Sequence, residues 1–385
     1  MSLDGWSNVH NEPIICTSFV SQSGESVLID TVDTTGKSHT AEYLKEIALE
    51  SMSNATKKFG VSVRSIVTDN ASNVAKMRTN LESDNLIQYG CSAHVLNLLA
   101  LDLDNSAVTD HILRVIKYFR NKHLPAALAK ETLGKKLILP HEVRWNTMTD
   151  AIKSFLENRG NLVQLCQDHK NDIDPHITKI INDVNIVMNA EHMLSYLKPI
   201  AVALDRAQRD KTTIAIVVEI WNKLELDLKG QSLDVKKHFY RRKDMALDAP
   251  HYLANMLDHR FLGKCLNNHQ REQAFTYLNK INPDFIPFVM ALLAESTPFP
   301  KYVFLPQFRN TSPMMWWKGI IIDDTTWPNK QGFLSLCEQL LTAIAATASL
   351  ERMFSSFGLV QSKLRNRLGN EKAGKLTFLF KYKNQ

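Results

Sequence analysis

Arg64-Ser65-Ile66-Val67-Thr68-Asp69-Asn70-Ala71-Ser72-Asn73 is a short apolar run that ends on a carboxylate and passes into small, helix-starting residues. Val63, Ile66 and Val67 are β-branched, and continuous rather than alternating apolarity predicts a strand covered on both faces. Asn70 is placed to cap a helix running through Asn73, Val74, Met77 and Leu81. A carboxylate at the C-terminal end of a buried strand stands where open α/β sheets bind ligands, which makes Asp69 the first candidate for chemistry. Its alternative role is to cap the helix that follows.

Upstream, Pro13 to Val20 and Ser26 to Val32 read as two strands of a hairpin joined by Ser21-Gln22-Ser23-Gly24-Glu25, with Leu3 to Val9 as the strand before them. From Thr40 to Phe59, Tyr43, Leu44, Ile47, Ala48, Met52, Ala55 and Phe59 recur at helical spacing, and Gly60 stands where a C-terminal cap belongs. A short fifth strand is predicted at Leu86 to Tyr89. The order is therefore three strands, a helix, a fourth strand, a helix and a fifth strand.

Beyond Ser92 the pattern turns helical, with amphipathic runs at Val95 to Leu103, Ile112 to Phe119, Ile152 to Leu165, Ile177 to Ala207 and Ile214 to Leu228. Pro283, Pro287, Pro298, Pro300, Pro306 and Pro313 break the later part into short helices and loops. Three helices close the chain: Leu334 to Ala345, Ser349 to Val360 and Asn370 to Tyr382. A sheet short of covering helices needs such a segment to return to it.

The 385 residues are too many for one ordinary core, and the 44% apolar content is enough to bury two or three units. With 46 Lys and Arg against 40 Asp and Glu, the formal charge of +6 is compatible with a polyanionic partner. Five dispersed cysteines do not form a disulfide framework and favour a reducing compartment. The first residues lack an apolar signal region, and no apolar run approaches the ~20 residues needed to cross a bilayer, so no membrane is expected.

Three acids stand out: Asp4 in Leu3-Asp4-Gly5-Trp6, Asp69, and Glu351 in Ser349-Leu350-Glu351-Arg352-Met353-Phe354-Ser355. Each alone reads equally as a surface acid. Brought together they form a divalent-metal site, because two carboxylates ~4 Å apart repel by ~4 kcal/mol at an effective dielectric near 20 and must take up a cation, share a proton or pair with bases.

In this order the three segments resemble the signatures of the hAT superfamily of DNA transposases and the genes domesticated from them. The resemblance covers nearly the whole chain. It implies an α/β, RNase H-like mixed sheet interrupted by a large, mostly α-helical insertion, with the core's first part at residues 1–95, the insertion at 96–334, and core completion plus dimerisation region at 335–385. The dimerisation surface is expected to begin near residue 300. The implied chemistry is phosphodiester hydrolysis and strand transfer by an Asp-Asp-Glu triad, Asp4, Asp69 and Glu351, holding two Mg²⁺ (or Mn²⁺) ions.

Cys91-Ser92-Ala93-His94 is similar to the family's Cys-x-x-His segment, where Cys91 and His94 would support the site or touch DNA; by composition they read equally as a core thiol and a hydrogen-bonded imidazole. Arg144-Trp145-Asn146-Thr147 resembles the insertion's Arg-Trp motif, whose aromatic would stack on a flipped base, the alternative being a core Trp. Lys363, Arg365 and Arg367 resemble the basic end of the dimerisation region, which would reach DNA. Trp316 and Trp317 resemble its Trp-Trp segment, interface anchors if exposed and core if buried, with Phe354 a further candidate. Lys236-Lys237-His238-Phe239-Tyr240-Arg241-Arg242-Lys243 and Lys117-Tyr118-Phe119-Arg120-Asn121-Lys122-His123 offer either phosphate contacts or solvated helix faces.

The resemblance also implies DNA and a second copy of the chain as partners and a nuclear location. No BED-type zinc finger precedes Asp4, and only three residues stand before that acid, so most of the first strand's leading half is missing, which predicts an N-terminally truncated or domesticated copy. The competing expectation is a dimerising, DNA- or chromatin-associated protein that no longer cuts.

Overall fold

The computed structural model describes residues 1–8, 10–21, 25–81, 86–140, 146–320, 327, 329–361 and 368–383. Chain contacts separate two units: Met1–Val95, Arg206–Asn222 and Lys243–Gln385 form one, and Leu96–Asp205 with Lys223–Arg242 form the other. The first break falls where the helical insertion was expected to start. Residues 206–222 and 243–334, expected in the insertion, group instead with the sheet.

The first unit is built on one mixed sheet. Its strands are β1 (Ser2–Ser7), β2 (Pro13–Val20), β3 (Ser26–Asp33), β4 (Ser65–Thr68) and β5 (Ile87–Gly90), in spatial order β3-β2-β1-β4-β5. β2 runs antiparallel to β1 and β3, while β4 is parallel to both β1 and β5. β4 thus lies between two neighbours, and its Ile66 and Val67 are fully buried. Burying such a side chain contributes roughly 1.5–3 kcal/mol, which explains the continuous apolar run.

Helices α1 (Ala41–Phe59) and α2 (Ser72–Asn80) follow β3 and β4, and α3 (Ser92–Asp102) follows β5. The Thr40 hydroxyl caps α1, accepting from the Tyr43 amide, and Gly60 ends it in the left-handed region at φ 67°, as the sequence predicts. Leu44, Ile47, Ala48 and Ala55 of α1 cover one face of the sheet through Leu3, Ile15, Phe19, Ile29 and Ile66.

The other face is covered from the far end of the sequence. Leu350, Met353, Phe354 and Phe357 of the helix Ala348–Val360 pack with Ala373 of the helix Asn370–Lys383 against Ile14, Cys16 and Leu28, with Trp6 beside them. The alternation of β1 divides accordingly: Leu3 faces α1, and Trp6 faces the returning helices.

The stretch before these helices is an aromatic core. Trp316 and Trp317 sit perpendicular to each other at 5.1 Å, Trp317 meets Phe333 at 5.6 Å, and Trp327 meets Phe333 at 5.3 Å. The indole N–H groups of Trp316 and Trp317 donate to the carbonyls of Val303 and Leu257, 2.9 and 3.0 Å away.

In the second unit the predicted run Ile177 to Ala207 is two helices, Pro175–Asn182 and Val184–Ala207. The break is Asp183, whose extended backbone lets its carboxylate accept from the Asn185 amide at 2.9 Å, a local bond that competes with helix. Among the described residues no helix is long and apolar enough to cross a membrane.

Candidate active site

The site starts from the parallel pairing of β1 and β4. Leu3 pairs with Thr68, so one further step along the two strands brings Asp4 level with Asp69. Alternation turns Asp4 to the face that Trp6 shares with the helix Ala348–Val360. Glu351 lies in the first turn of that helix.

These acids feel one another. The Asp4 carboxyl is raised from its ordinary value to about 7, chiefly because burial disfavours its charged form, and the charges of Asp69 and Glu351 push it further. Hydrogen bonds from the Gly5 amide, at 2.8 Å, and the Thr347 hydroxyl act in the opposite sense without prevailing.

The returning segment is fastened at the sheet edge. The Tyr89 hydroxyl donates to the Ile344 carbonyl at 2.8 Å, and the Ser92 amide to the Ala345 carbonyl at 3.0 Å. The Cys91 thiol accepts from the Thr347 amide at 3.4 Å and the His94 amide at 3.4 Å, and the Thr347 hydroxyl, shared between Asp4 and this sulfur, lies 3.6 Å from it. Thr347 therefore joins Cys91 to Asp4 one turn before Glu351. Arg352, the base next to Glu351 in sequence, pairs with Asp210 and donates to the Gln208 carbonyl at 3.2 Å.

The turn after β4 corrects the expected cap. The N-cap of α2 is Ala71, and no side chain caps it. Asn70 instead donates to the Cys91 carbonyl at 3.2 Å, and its amide lies over Gly90, where a Cβ would stand 1.8 Å from Asn70 Oδ1. Only glycine at position 90 leaves that room. Asp69 Oδ1 accepts from the Ala71 amide at 3.1 Å, a local turn that engages one of its two oxygens.

Several expected contacts are revised. Cys91 is fully buried, which pushes its thiol up to about 11, and it lies inside the fold behind Thr347. His94 is half-buried at the start of α3. Trp316, Trp317 and Phe354, expected as dimer anchors, are 4%, 1% and 8% exposed and belong to the chain's own core. Phe354 lies parallel to Trp6 at 5.7 Å. Arg144, Trp145, Lys363, Arg365 and Arg367 lie outside the described residues.

In the second unit, Arg242 holds Asp102 through Nε at 2.6 Å and Nη2 at 2.9 Å, and Arg241 adds a bond at 2.7 Å. Those bonds, Arg242's first, lower Asp102 to about 2. Two bases of one predicted phosphate-binding stretch are thus tied to an internal acid. Tyr118 and Phe119 of the other stretch are buried.

Two participants escaped the sequence reading. Thr347 carries no motif signal. Arg78 stands two helical turns beyond Ala71, on the same side of α2, and its length carries the guanidinium back to the β4 turn: Nη1 bonds the Thr68 hydroxyl and the Asp69 carbonyl (2.5 Å), and Nη2 bonds Asn70 Oδ1 (3.3 Å).

The donor chemistry fits a hard divalent cation: Asp4 is raised to about 7 first by burial and then by the charges of two further carboxylates, Asp69 and Glu351. The positions are not yet a finished cage, because among the described residues no three His, Cys, Asp or Glu side chains stand as a ready set of metal ligands. Compared with the known protein families and with curated proteins, the chain matches none.

Proposed function

We propose that the chain is an RNase H-like, hAT-transposase-like protein whose ancestral reaction is metal-dependent cleavage and strand transfer of DNA. The observation that carries this reading is the electrostatic meeting of Asp4, Asp69 and Glu351, one on the first strand, one directly after the fourth, and one on a helix that returns from the far end of the sequence. Mutual repulsion among acids is costly unless a cation offsets it, and sites of such cost are where function concentrates.

Asp4, Asp69 and Glu351 are the residues that would hold Mg²⁺ or Mn²⁺, which when bound supplies Lewis-acid stabilisation of the scissile phosphate and its attacking oxygen. The chain's own part is positional. Thr347 orients Asp4, the turn at Asn70 aims Asp69, and packing of Leu350, Phe354 and Phe357 fixes the turn that bears Glu351. Asp4, raised to about 7, and the Asp69 oxygen outside the turn bond are the groups that would rearrange to accept a cation. DNA as substrate and a nuclear location belong to the same proposal.

The test is cleavage of plasmid or hairpin DNA in Mg²⁺ or Mn²⁺ by the full chain and by Asp69→Ala. Loss of metal-dependent cutting in the variant is expected. Cutting that persists undiminished would remove the assignment.

A second reading, a dimerising DNA- or chromatin-associated protein without nuclease activity, is favoured by the lack of a ready set of metal ligands among the described residues. It requires salt-dependent DNA binding with no cleavage in either metal.

A further inference from the structure

We propose that Arg78 is the positioning residue of the acidic site, locking the Thr68–Asp69–Asn70 turn so that the Asp69 carboxylate is presented beside Asp4. The inference rests on the metal-site reading above for its consequence, but its geometry is independent of it.

Arg78 projects from the last turn of α2 and engages three successive residues: the Thr68 hydroxyl and Asp69 carbonyl through Nη1, and Asn70 Oδ1 through Nη2. Asn70 is held from the other side by the Cys91 carbonyl and the close floor at Gly90, and the Cys91 amide donates to the Thr68 carbonyl at 2.6 Å. The turn is thereby clamped between α2 and the β5–α3 junction.

The guanidinium bonds the Asp69 carbonyl and the side chains of Thr68 and Asn70, leaving the Asp69 carboxylate to its own turn. That distinction matters for a ligand site. A direct Arg–carboxylate pair would neutralise Asp69 and compete with an incoming cation. Gripping the carbonyl fixes the same residue and leaves its carboxylate available.

Burial lowers the Arg78 guanidinium from its ordinary value, and the nearby carboxylates of Asp248 and Asp69 offset part of that cost. Asp248 is in turn hydrogen-bonded to Nδ1 of the buried His251 at 2.5 Å. A lysine cannot replace this arrangement, because an ammonium is a compact point charge without the planar fork that spans three acceptors.

The experiment compares Arg78→Lys and Arg78→Ala with Lys76→Ala, a control at an exposed position of the same helix. Amide hydrogen exchange across residues 66–75 is the first readout and needs no metal. Both Arg78 variants are expected to exchange roughly tenfold faster there while β2 and α1 keep their protection. Unchanged exchange in Arg78→Lys overturns the proposal, and this variant serves alone if Arg78→Ala does not fold.

Mn²⁺ titration by calorimetry is the second readout, with affinity expected to fall about tenfold or more in both variants and to be unaffected in Lys76→Ala. Mn²⁺ binding at wild-type strength in Arg78→Lys also overturns the proposal. Wild-type protein that binds no Mn²⁺ refutes the metal-site reading instead, and the exchange data then decide the role of Arg78.

Discussion

The sheet unit contains two clusters of acids that are treated in opposite ways. At the far end of β1, Asn370 donates to Glu12 Oε2 at 2.9 Å and to Asp33 Oδ2 at 2.7 Å, while Asn8 donates to Glu12 at 2.6 Å. Hydrogen bonds, from Asn8 first for Glu12 and from Thr35 first for Asp33, hold both carboxyls below their ordinary values. Four residues before Asn8, on β1 itself, half-buried Asp4 stands with Asp69 and Glu351 and is driven up to about 7. The first cluster supplies amide donors to its charges and ties the last helix to the hairpin. The second supplies too few donors, so its charges remain available to a ligand. The same side-chain type serves architecture in one place and, on our account, chemistry in the other, and the donor supply is what separates them.

The largest effect expected is on cleavage. Asp4→Ala, Asp69→Ala and Glu351→Ala should each reduce metal-dependent DNA cutting by on the order of 100-fold or more, measured at fixed protein and Mg²⁺. Asp33→Asn, in the satisfied cluster, should leave it near the parental rate. Equal losses in both clusters would erase the distinction.

Next comes stability against pH without divalent cations. Asp4 holds its proton in the folded state up to about 7 but releases it near 4 when unfolded, so the unfolded state binds fewer protons between those limits and stability falls as pH rises through that window. Asp4→Asn should flatten this loss, visible in chemical denaturation at pH 5 and pH 8. Glu12 and Asp33 have the opposite sign: their contribution is present above the ordinary carboxyl range and disappears as pH falls through their depressed values. Asn370→Ala should cost about 2 kcal/mol at neutral pH, and the difference from the parent should shrink in acid.

Gly90→Ala should follow, lowering stability by roughly 1–3 kcal/mol because the new methyl displaces Asn70, with a larger proportional loss of Mn²⁺ affinity than of stability. Thr347→Val is the smallest: it removes the hydroxyl between Cys91 and Asp4, raises the Asp4 carboxyl further, and should shift its titration upward in carboxyl carbon NMR with a modest change in melting temperature.

Much of this frame was legible before any coordinates. The β-branched run at Ile66 and Val67, the helical stripe from Tyr43 to Phe59 with Gly60 behind it, and the helix at Ser349 to Val360 follow from local periodicity and capping, which sequence carries directly. The order of the three motifs singled out Asp4, Asp69 and Glu351, whose role as a triad is the proposal made above. What sequence did not carry is long-range partner choice. Asn70 was expected to cap α2 because it has the right chemistry one residue too early, but the vacancy above Gly90 draws it across the sheet. Arg78 gives no sign in a linear reading that its guanidinium turns back on the β4 turn. The paired indoles Trp316 and Trp317 could equally anchor an interface or fill a core, and the carbonyls of Val303 and Leu257 that receive their N–H groups decide for the core. The division of the chain departed from expectation for a related reason, since the proline-broken segment after residue 243 builds an aromatic core whose affiliation depends on contacts far apart in sequence.

The most direct test is the titration of the Asp4 carboxyl carbon by NMR in the parent, in Asp69→Asn and in Glu351→Gln, each with and without Mg²⁺. The account predicts an apparent value near 7 in the parent that falls when either neighbouring charge is removed and falls further when Mg²⁺ is added. An Asp4 that titrates in the ordinary carboxyl range, indifferent to both substitutions and to the metal, would contradict it.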